Sequence, residues 1–263
     1  MSERAVTEIA SGKMKAALAP ALGGAVLSLS LDGRHLLRRA PSPGAVADPR
    51  DAACYPCVPW FSRLAGGLDF AGRHYDLAPT LPACDPDHAL HGHGWTSPWE
   101  VTAQTQDRLV CAFDYAPKPL GFPFPFRAVQ EFTLAPARFE IALSVTNTGA
   151  GPMPAGLGLH PFFPRGGDAQ IDFGGERVRF AGTGMDDTHE NWGGAAEIIN
   201  NGMRLAINSN ARFLHLYSPE SADFFCAEPV THSPGGFGEK VLAPDEKLKL
   251  FLKIEITSQE QDS

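Results

Sequence analysis

Two residues in this sequence could exchange protons with a substrate near neutral pH. His160 lies in an apolar run rich in glycine and proline, GLGLHPFFP at 156–164, and Glu228 ends the apolar part of DFFCAEPVTH at 223–232. Apolar neighbours control the pKa of a histidine, so His160 could serve as an acid. At the end of a strand-like segment, Glu228 could be held firmly as a base and still meet a substrate. The alternatives are a core histidine with satisfied hydrogen bonds and an ordinary exposed glutamate.

Further residues could bind a polar ligand. Arg63 follows aromatic residues in PWFSRL and precedes two glycines, so its guanidinium could reach ligand oxygens or stack on a ring at the surface. His91 and His93 alternate with glycines in LHGHGW, and in a strand they would point to the same face. They could then form a metal pair, a sugar-binding pair or a solvated turn. Asp186, in GMDDTHENW, could bind hydroxyl groups or belong to a polar turn.

Neither of two possible metal motifs is complete. The spacing Cys54-x-x-Cys57 is half of a zinc knuckle, but no second pair follows among the five cysteines. A cupin-like site would use His91, His93 and Glu100, but such sites need a glutamate closer to the two histidines. We therefore expect no bound metal.

The charge balance limits the possible partners. The chain has 22 basic and 30 acidic residues, a net charge of −8, which argues against binding to nucleic acid or an anionic membrane. Its N-terminus does not read as a secretion signal, and no apolar run is long enough to span a bilayer. We therefore expect a cytoplasmic protein with free thiols, either a monomer or a homodimer, whose partner is a small molecule.

The segments that position these residues are predicted to be β-strands. The 27 glycines and 23 prolines interrupt the sequence at short intervals, and helical periodicity is weak throughout. Apolar and polar residues alternate at 25–31, 108–115, 138–147 and 246–257. This pattern predicts an all-β fold, and the chain length favours an antiparallel β-sandwich over a closed barrel. No break in composition divides the chain, so we expect a single domain over 1–263.

The order of these motifs resembles that of the aldose 1-epimerases, also called galactose mutarotases. The pattern of that family is an Asn-Arg pair, Leu-His-Gly, His-Pro before an aromatic residue, an Asp in a turn, and Glu-Pro-x-Thr. The corresponding residues here are Ser62-Arg63, Leu90-His91-Gly92, His160-Pro161-Phe162, Met185-Asp186 and Glu228-Pro229-Val230-Thr231. The similarity continues as strands at both ends and so covers nearly the whole chain.

The resemblance implies a supersandwich of antiparallel strands with its site in an open cleft, and it implies neither a metal nor an organic cofactor. The family's reaction interconverts the α and β anomers of a free or phosphorylated aldose. By resemblance, Glu228 would be the general base at the C1 hydroxyl and His160 the general acid at the ring oxygen. Arg63, His91 and Asp186 would bind sugar hydroxyls.

Some details depart from the family pattern or stay open. Ser62 replaces the usual asparagine, which affects the hydroxyl contact at this position and hence the sugar preference. Asp187 is adjacent to Asp186, and either residue could fill the family position. Arg165, soon after His160, could contact a phosphate group. A non-catalytic sugar-binding protein on the same fold is the alternative function; it would tolerate loss of His160 or Glu228, and both are present here.

Overall fold

The computed structural model describes residues 6–41, 48–180, 182 and 184–259, and it confirms the all-β prediction. Two nine-stranded antiparallel sheets account for most of these residues. In the described part of the chain, helical structure is confined to two single turns of 3-10 helix, Pro49–Asp51 and Gly94–Thr96. None of the described helices is long and apolar enough to cross a membrane.

The first sheet carries most of the residues singled out above. Its strands are β1 (Thr7–Ser11), β2 (Met14–Ala19), β3 (Ala25–Leu31), β4 (Arg34–His35), β5 (Cys54–Cys57), β15 (Gly158–Pro164), β18 (Met185–His189), β21 (Phe213–Ser218) and β22 (Phe224–Val230). They follow the order β1-β2-β3-β5-β15-β22-β21-β18, and β4 pairs with β3. Strands that are distant in sequence therefore become neighbours at the centre of this sheet.

The second sheet packs against the first. Its strands are β10 (Glu100–Gln104), β11 (Arg108–Tyr115), β12 (Phe126–Ala135), β13 (Arg138–Asn147), β16 (Gln170–Phe173), β17 (Glu176–Arg179), β19 (Ala195–Asn200), β20 (Met203–Ser209) and β24 (Lys247–Gln259), in the order β10-β11-β12-β13-β24-β20-β19-β16-β17. Three two-stranded ribbons complete the fold: β6 (Arg63–Leu64) with β9 (Ala89–Leu90), β7 (Leu68–Phe70) with β8 (Arg73–Tyr75), and β14 (Met153–Pro154) with β23 (Val241–Leu242).

The alternating segments of the sequence are strands in the structure. Three of them coincide with β3, β11 and β13, and the fourth corresponds to β24, which begins one residue later and ends two residues later than the pattern. In β13 the apolar positions face the core between the sheets, where they meet the apolar face of the neighbouring β24. Alternation locates these strands because a one-residue shift would expose the whole apolar face.

The central strands of the first sheet, β5, β15 and β22, are buried on both faces. One face of β15 and β22 packs into the main core through residues such as Leu159 and Phe225. The opposite face carries His160 and Glu228, together with a second apolar cluster that includes Phe61, Leu90 and Trp95 from the covering loops. Because side chains alternate between the faces of a strand, the polar residues of β15 and β22 lie together beneath these loops.

Candidate active site

A cavity of about 560 Å³ lies between the first sheet and its covering loops. All five residues that the sequence suggested for catalysis or sugar binding line this cavity. The lining residues are Arg38, Asp48, Arg50, Asp51, Tyr55, Phe61, Ser62, Arg63, Cys84, Leu90, His91, His160, Phe162, Asp186, His215, Tyr217, Phe224 and Glu228. The cavity therefore combines several hydrogen-bonding groups with aromatic rings.

One row of side chains crosses five neighbouring strands on the cavity side of the sheet. His160 pairs with Tyr55 of β5, and the register of β15 with β22 places His160 opposite Glu228. Glu228 in turn pairs with His215 of β21, and His215 pairs with Thr188 of β18. Residues that face each other in this way have Cβ atoms about 5 Å apart, so the sheet itself brings these groups together.

The centre of this row is a buried acid–base pair. His160 Nε2 lies 3.3 Å from Glu228 Oε1, and their side chains are 8% and 1% exposed. Burial lowers the pKa of the His160 imidazole well below its ordinary value, and the nearby His91, His215 and Arg38 add to this shift. Burial also raises the pKa of the Glu228 carboxyl well above its usual range, an effect to which Asp186 contributes.

These opposite shifts favour the uncharged form of each group, so a proton held by the pair resides mainly on the Glu228 carboxyl. The alternative form, a Glu228 carboxylate beside a His160 imidazolium, holds the same number of protons and is reached by transfer of that proton across the 3.3 Å contact. Glu228 Oε2 and His160 Nδ1 are also buried without a hydrogen-bond partner among the described residues. An unpaired carboxylate oxygen in a cavity is suited to take a proton from a bound hydroxyl group.

His91 contributes a hydrogen-bond donor to the cavity. Its Nδ1 accepts from the backbone N–H of Ser62 at 3.1 Å, so in the neutral ring the proton is on Nε2. Burial lowers the pKa of His91 to about 3, with smaller contributions from Arg63 and His215, so the ring is neutral at pH 7. His91 is therefore prepared to donate to an uncharged oxygen such as a sugar hydroxyl.

The prediction that His91 and His93 point to the same face is wrong. His91 has a positive φ of 55° and Gly92 one of 72°, so the chain turns between the two histidines instead of continuing as a strand. His93 stacks on Tyr115 in the core, with ring centres 4.7 Å apart, and its Nε2 accepts from the backbone N–H of Phe122. The two rings therefore cannot share a metal ion.

One group of three potential metal ligands does occur among the described residues. His160, Cys226 and Glu228 have ligand atoms within 4.8 Å of one another. However, burial raises the pKa of the Cys226 thiol well above its usual range, and Glu228 adds to the shift. Metal binding needs the thiolate, so a metal ion would have to displace the proton of Cys226 on binding.

Arg63 is held at the cavity wall by Asp85, a residue that the sequence analysis missed. Arg63 Nε donates to Asp85 Oδ2 at 2.6 Å, and no described residue accepts from the two terminal nitrogens of Arg63. Burial alone would raise the pKa of Asp85, but hydrogen bonds from Arg63, Asp87 and His88 outweigh it and lower the pKa to about 2. The closely spaced polar residues of CDPDH at 84–88 were the available sequence signal.

The loop that carries Arg63 is anchored on both sides by histidines. The backbone N–H of Phe61 donates to His232 Nε2 at 3.1 Å, and the backbone N–H of His91 donates to the carbonyl oxygen of Ser62 at 2.9 Å. His232 Nδ1 in turn donates to the carbonyl oxygen of Ser233. The histidine that ends the Glu228 segment thus connects β22 to the arginine loop.

The structure distinguishes the two adjacent aspartates. Asp186 pairs with Tyr217 and lines the cavity, where its Oδ1 lies 3.3 Å from His215 Nε2. Asp187 pairs with Leu216, which faces the main core, so Asp187 lies on the other face of the sheet. His215 was also missed, although its place between Leu214 and Leu216 in an alternating segment marks a polar position on the cavity face.

Arg165 does not line this cavity, so its suggested phosphate contact is not supported. Its guanidinium donates to Ser218 Oγ and to the carbonyl oxygens of Pro219 and Glu220, and it thereby holds the turn after β21. A different arginine, Arg38, reaches the cavity instead and lies 3.6 Å above the ring centre of Phe162. Nothing in its sequence neighbourhood indicated this contact.

Ser62 adopts a positive φ of 63°, a conformation that asparagine tolerates better than serine. We expect Ser62→Asn to raise the free energy of unfolding by up to about 1 kcal/mol, because the strain at this position falls. Thermal unfolding measures the effect. Ser97→Asn is the matched control, since Ser97 has a φ of −106°, and it should give no gain. An equal response of both variants would contradict the explanation.

The fold and the cavity define a class of protein: a galactose mutarotase-like β-sandwich with an acid–base pair on the covered face of one sheet. Within this class, the family profile described as aldose 1-epimerase matches residues 6–197, more than half of the chain. The chain therefore belongs to the aldose 1-epimerase family, and the resemblance to this family is confirmed.

Solved structures share the fold across nearly the whole chain. A candidate aldose 1-epimerase from Escherichia coli K12 superposes with a TM-score of 0.84 at 24% identity, covering 96% of this chain and 98% of that one. A GalM/aldose epimerase homologue from C. elegans has a TM-score of 0.80 at 15% identity, with 97% and 99% covered. Galactose 1-epimerase from Lactobacillus acidophilus NCFM has a TM-score of 0.78 at 14% identity, with 99% and 97% covered.

A sequence relative matches a shorter stretch. The uncharacterised protein YphB of Escherichia coli K12 is 33% identical over 143 residues, which make up 54% of this chain and 46% of that protein. The match thus spans about half the length of this curated relative. At these levels of identity the solved structures establish the fold alone.

Proposed function

We propose that this protein is an aldose 1-epimerase that interconverts the α and β anomers of a free or phosphorylated aldose. The observation that carries the proposal is the contact between His160 and Glu228, two buried groups 3.3 Å apart at the cavity wall. Their pKa values shift in opposite directions, which favours a protonated carboxyl beside a neutral imidazole. Mutarotation needs such a pair, because one proton must leave the sugar while another is added.

The reaction opens a cyclic hemiacetal and closes it on the other face. The reactive form of the pair is the one in which Glu228 has passed its proton to His160 across the 3.3 Å contact. In that form the Glu228 carboxylate takes the proton from the C1 hydroxyl, and the His160 imidazolium gives a proton to the ring oxygen. Both oxygens are bonded to C1, so two adjacent protein groups can serve them at once. After rotation about the C1–C2 bond the protons return in the opposite sense and the ring closes. The sugar is neither oxidised nor reduced and no group leaves it, so the reaction requires no cofactor.

The remaining polar groups of the cavity match the hydroxyl groups of a sugar. His91 offers an N–H donor from a neutral ring, and Arg63 offers its terminal nitrogens while Asp85 holds its Nε. Asp186 offers a carboxylate that can accept from hydroxyl groups. Donors and acceptors on different walls of one cavity can orient a sugar, and orientation places C1 against the catalytic pair.

The experiment that tests this proposal measures anomer exchange directly. Freshly dissolved α-anomers of several aldoses and their 6-phosphates are followed by NMR or polarimetry with and without the protein. At least one of them should equilibrate faster with the protein than without it. Sugar binding without any acceleration would overturn the proposal in favour of a non-catalytic sugar-binding protein, and neither binding nor acceleration would overturn both.

The shared proton also predicts the pH dependence of kcat. Below the lowered pKa of His160, which lies under 6.5, both groups are protonated and no base remains. Above the raised pKa of Glu228, which lies above 4.5, both groups are deprotonated and no acid remains. We expect a plateau between these limits, measured by anomer-exchange NMR from about pH 4 to pH 9 after subtraction of the uncatalysed rate. An acid limb centred above pH 6.5 would contradict this assignment.

A further inference from the structure

His215 is the third histidine of the cavity, and the reaction described above assigns it no role. Its side chain is only 8% exposed, and it lies on β21 between Glu228 on one neighbouring strand and Thr188 on the other. It also contacts the edge of the Phe61 ring, with ring centres 5.2 Å apart. A buried polar ring in this position needs partners for both of its nitrogens.

The contacts of His215 determine which nitrogen carries its proton. Nδ1 lies 2.8 Å from Thr188 Oγ1, and Nε2 lies 3.3 Å from Asp186 Oδ1. A carboxylate repels a nitrogen lone pair, so the tautomer with its proton on Nε2, next to Asp186 Oδ1, is favoured. In that tautomer Nδ1 accepts a hydrogen bond from the Thr188 hydroxyl. Burial lowers the pKa of His215, although Asp186 opposes the shift, so the neutral ring is the form near pH 7.

We propose that His215 is a positioning residue: held by Thr188, it fixes the carboxylate of Asp186 as an acceptor for one sugar hydroxyl. This inference rests on the proposed function, and it assigns His215 a role in sugar recognition. The Asp186 side chain is 67% exposed, so without this contact it would sample several rotamers. The Thr188–His215–Asp186 chain orders the carboxylate before the sugar arrives, and this preorganisation favours binding.

A double-mutant cycle on KM tests the proposal. His215→Leu should raise KM about tenfold, the size of effect expected when a charged group loses a close polar contact, while kcat changes little. Asp186→Asn should raise KM by a similar factor, and the double variant should be no worse than Asp186→Asn alone, because His215 acts through Asp186. His215→Gln keeps an N–H donor, so its KM should be close to that of the unaltered protein. Thr188→Val should raise KM, as His215→Leu does.

The control is His74→Leu, which removes another histidine–aspartate contact, to Asp69, outside the cavity. It should leave KM and kcat unchanged. Effects of His215 and Asp186 that multiply, or a His215→Leu variant that loses kcat at constant KM, would overturn the proposal. If the unaltered protein accelerates no anomer exchange, the proposed function fails separately, and the same cycle is measured on the dissociation constant of a bound aldose.

Discussion

Glu228→Gln should abolish most of the acceleration of anomer exchange, with a fall in kcat of about 100- to 10,000-fold. An amide has nearly the same shape as the carboxyl group but cannot take the proton from the C1 hydroxyl. Glu228 is 1% exposed and lies opposite His160, whereas Asp186, an exposed carboxylate of the same cavity, contacts His215 instead. Anomer-exchange NMR with a responsive sugar measures the loss, and a sugar titration should show that binding persists.

The same substitution should not weaken the fold. Burial gives Glu228 a raised pKa in the folded protein, so ionising it above that pKa destabilises the folded state, and a neutral glutamine avoids this effect. We expect a melting temperature at or above that of the unaltered protein at neutral pH. Glu100→Gln is the matched control, since Glu100 is exposed on β10, and its kcat should be unchanged. Substantial activity in Glu228→Gln would show that another group is the base.

His160→Gln should cause a loss of kcat of similar size, again about 100- to 10,000-fold. Glutamine can donate a hydrogen bond to the ring oxygen but cannot transfer a proton at neutral pH. The imidazole stacks on Phe162 with ring centres 4.5 Å apart and contacts Tyr55 at 4.6 Å, so thermal unfolding must accompany the kinetics. A folded variant with normal kcat would exclude His160 as the acid.

The double variant of His160 and Glu228 provides the control for this assignment. Two groups that work as one unit give losses that are far from additive, so the double variant should be about as inactive as either single one. His74→Gln replaces a half-exposed histidine outside the cavity and should leave kcat unchanged. Losses that multiply in the double variant would indicate that His160 and Glu228 act in independent steps.

Much of the fold could be predicted from the sequence because it depends on local patterns. The alternation at 25–31, 108–115 and 138–147 coincides with β3, β11 and β13, since burial of one face requires apolar residues at every second position. The same rule gave a wrong prediction for His91 and His93, which do not point to the same face. Their segment turns at His91 and Gly92, both with positive φ, and alternation holds only where the backbone is extended.

The candidate site could be predicted in part. Five cavity residues were identified because their motifs have a recognisable order along the chain. Asp85, His215 and Arg38 were missed because each depends on a partner distant in sequence: Asp85 on Arg63, His215 on Asp186, and Arg38 on the ring of Phe162. A single sequence contains no signal for such pairs until the strands that carry them are placed side by side.

The sequence by itself determined the strand pattern, the all-β class and the residue types able to do acid–base chemistry. Only the tertiary structure decided that His160 and Glu228 lie 3.3 Å apart and that Asp186, rather than Asp187, faces the cavity. It also decided that His93 belongs to the core. The physical reason is strand register: β15 is far from β22 in the chain, as β18 is from β21, and the pairing of these strands sets which side chains meet. Burial beneath the covering loops then shifts the pKa values on which the proposed reaction depends.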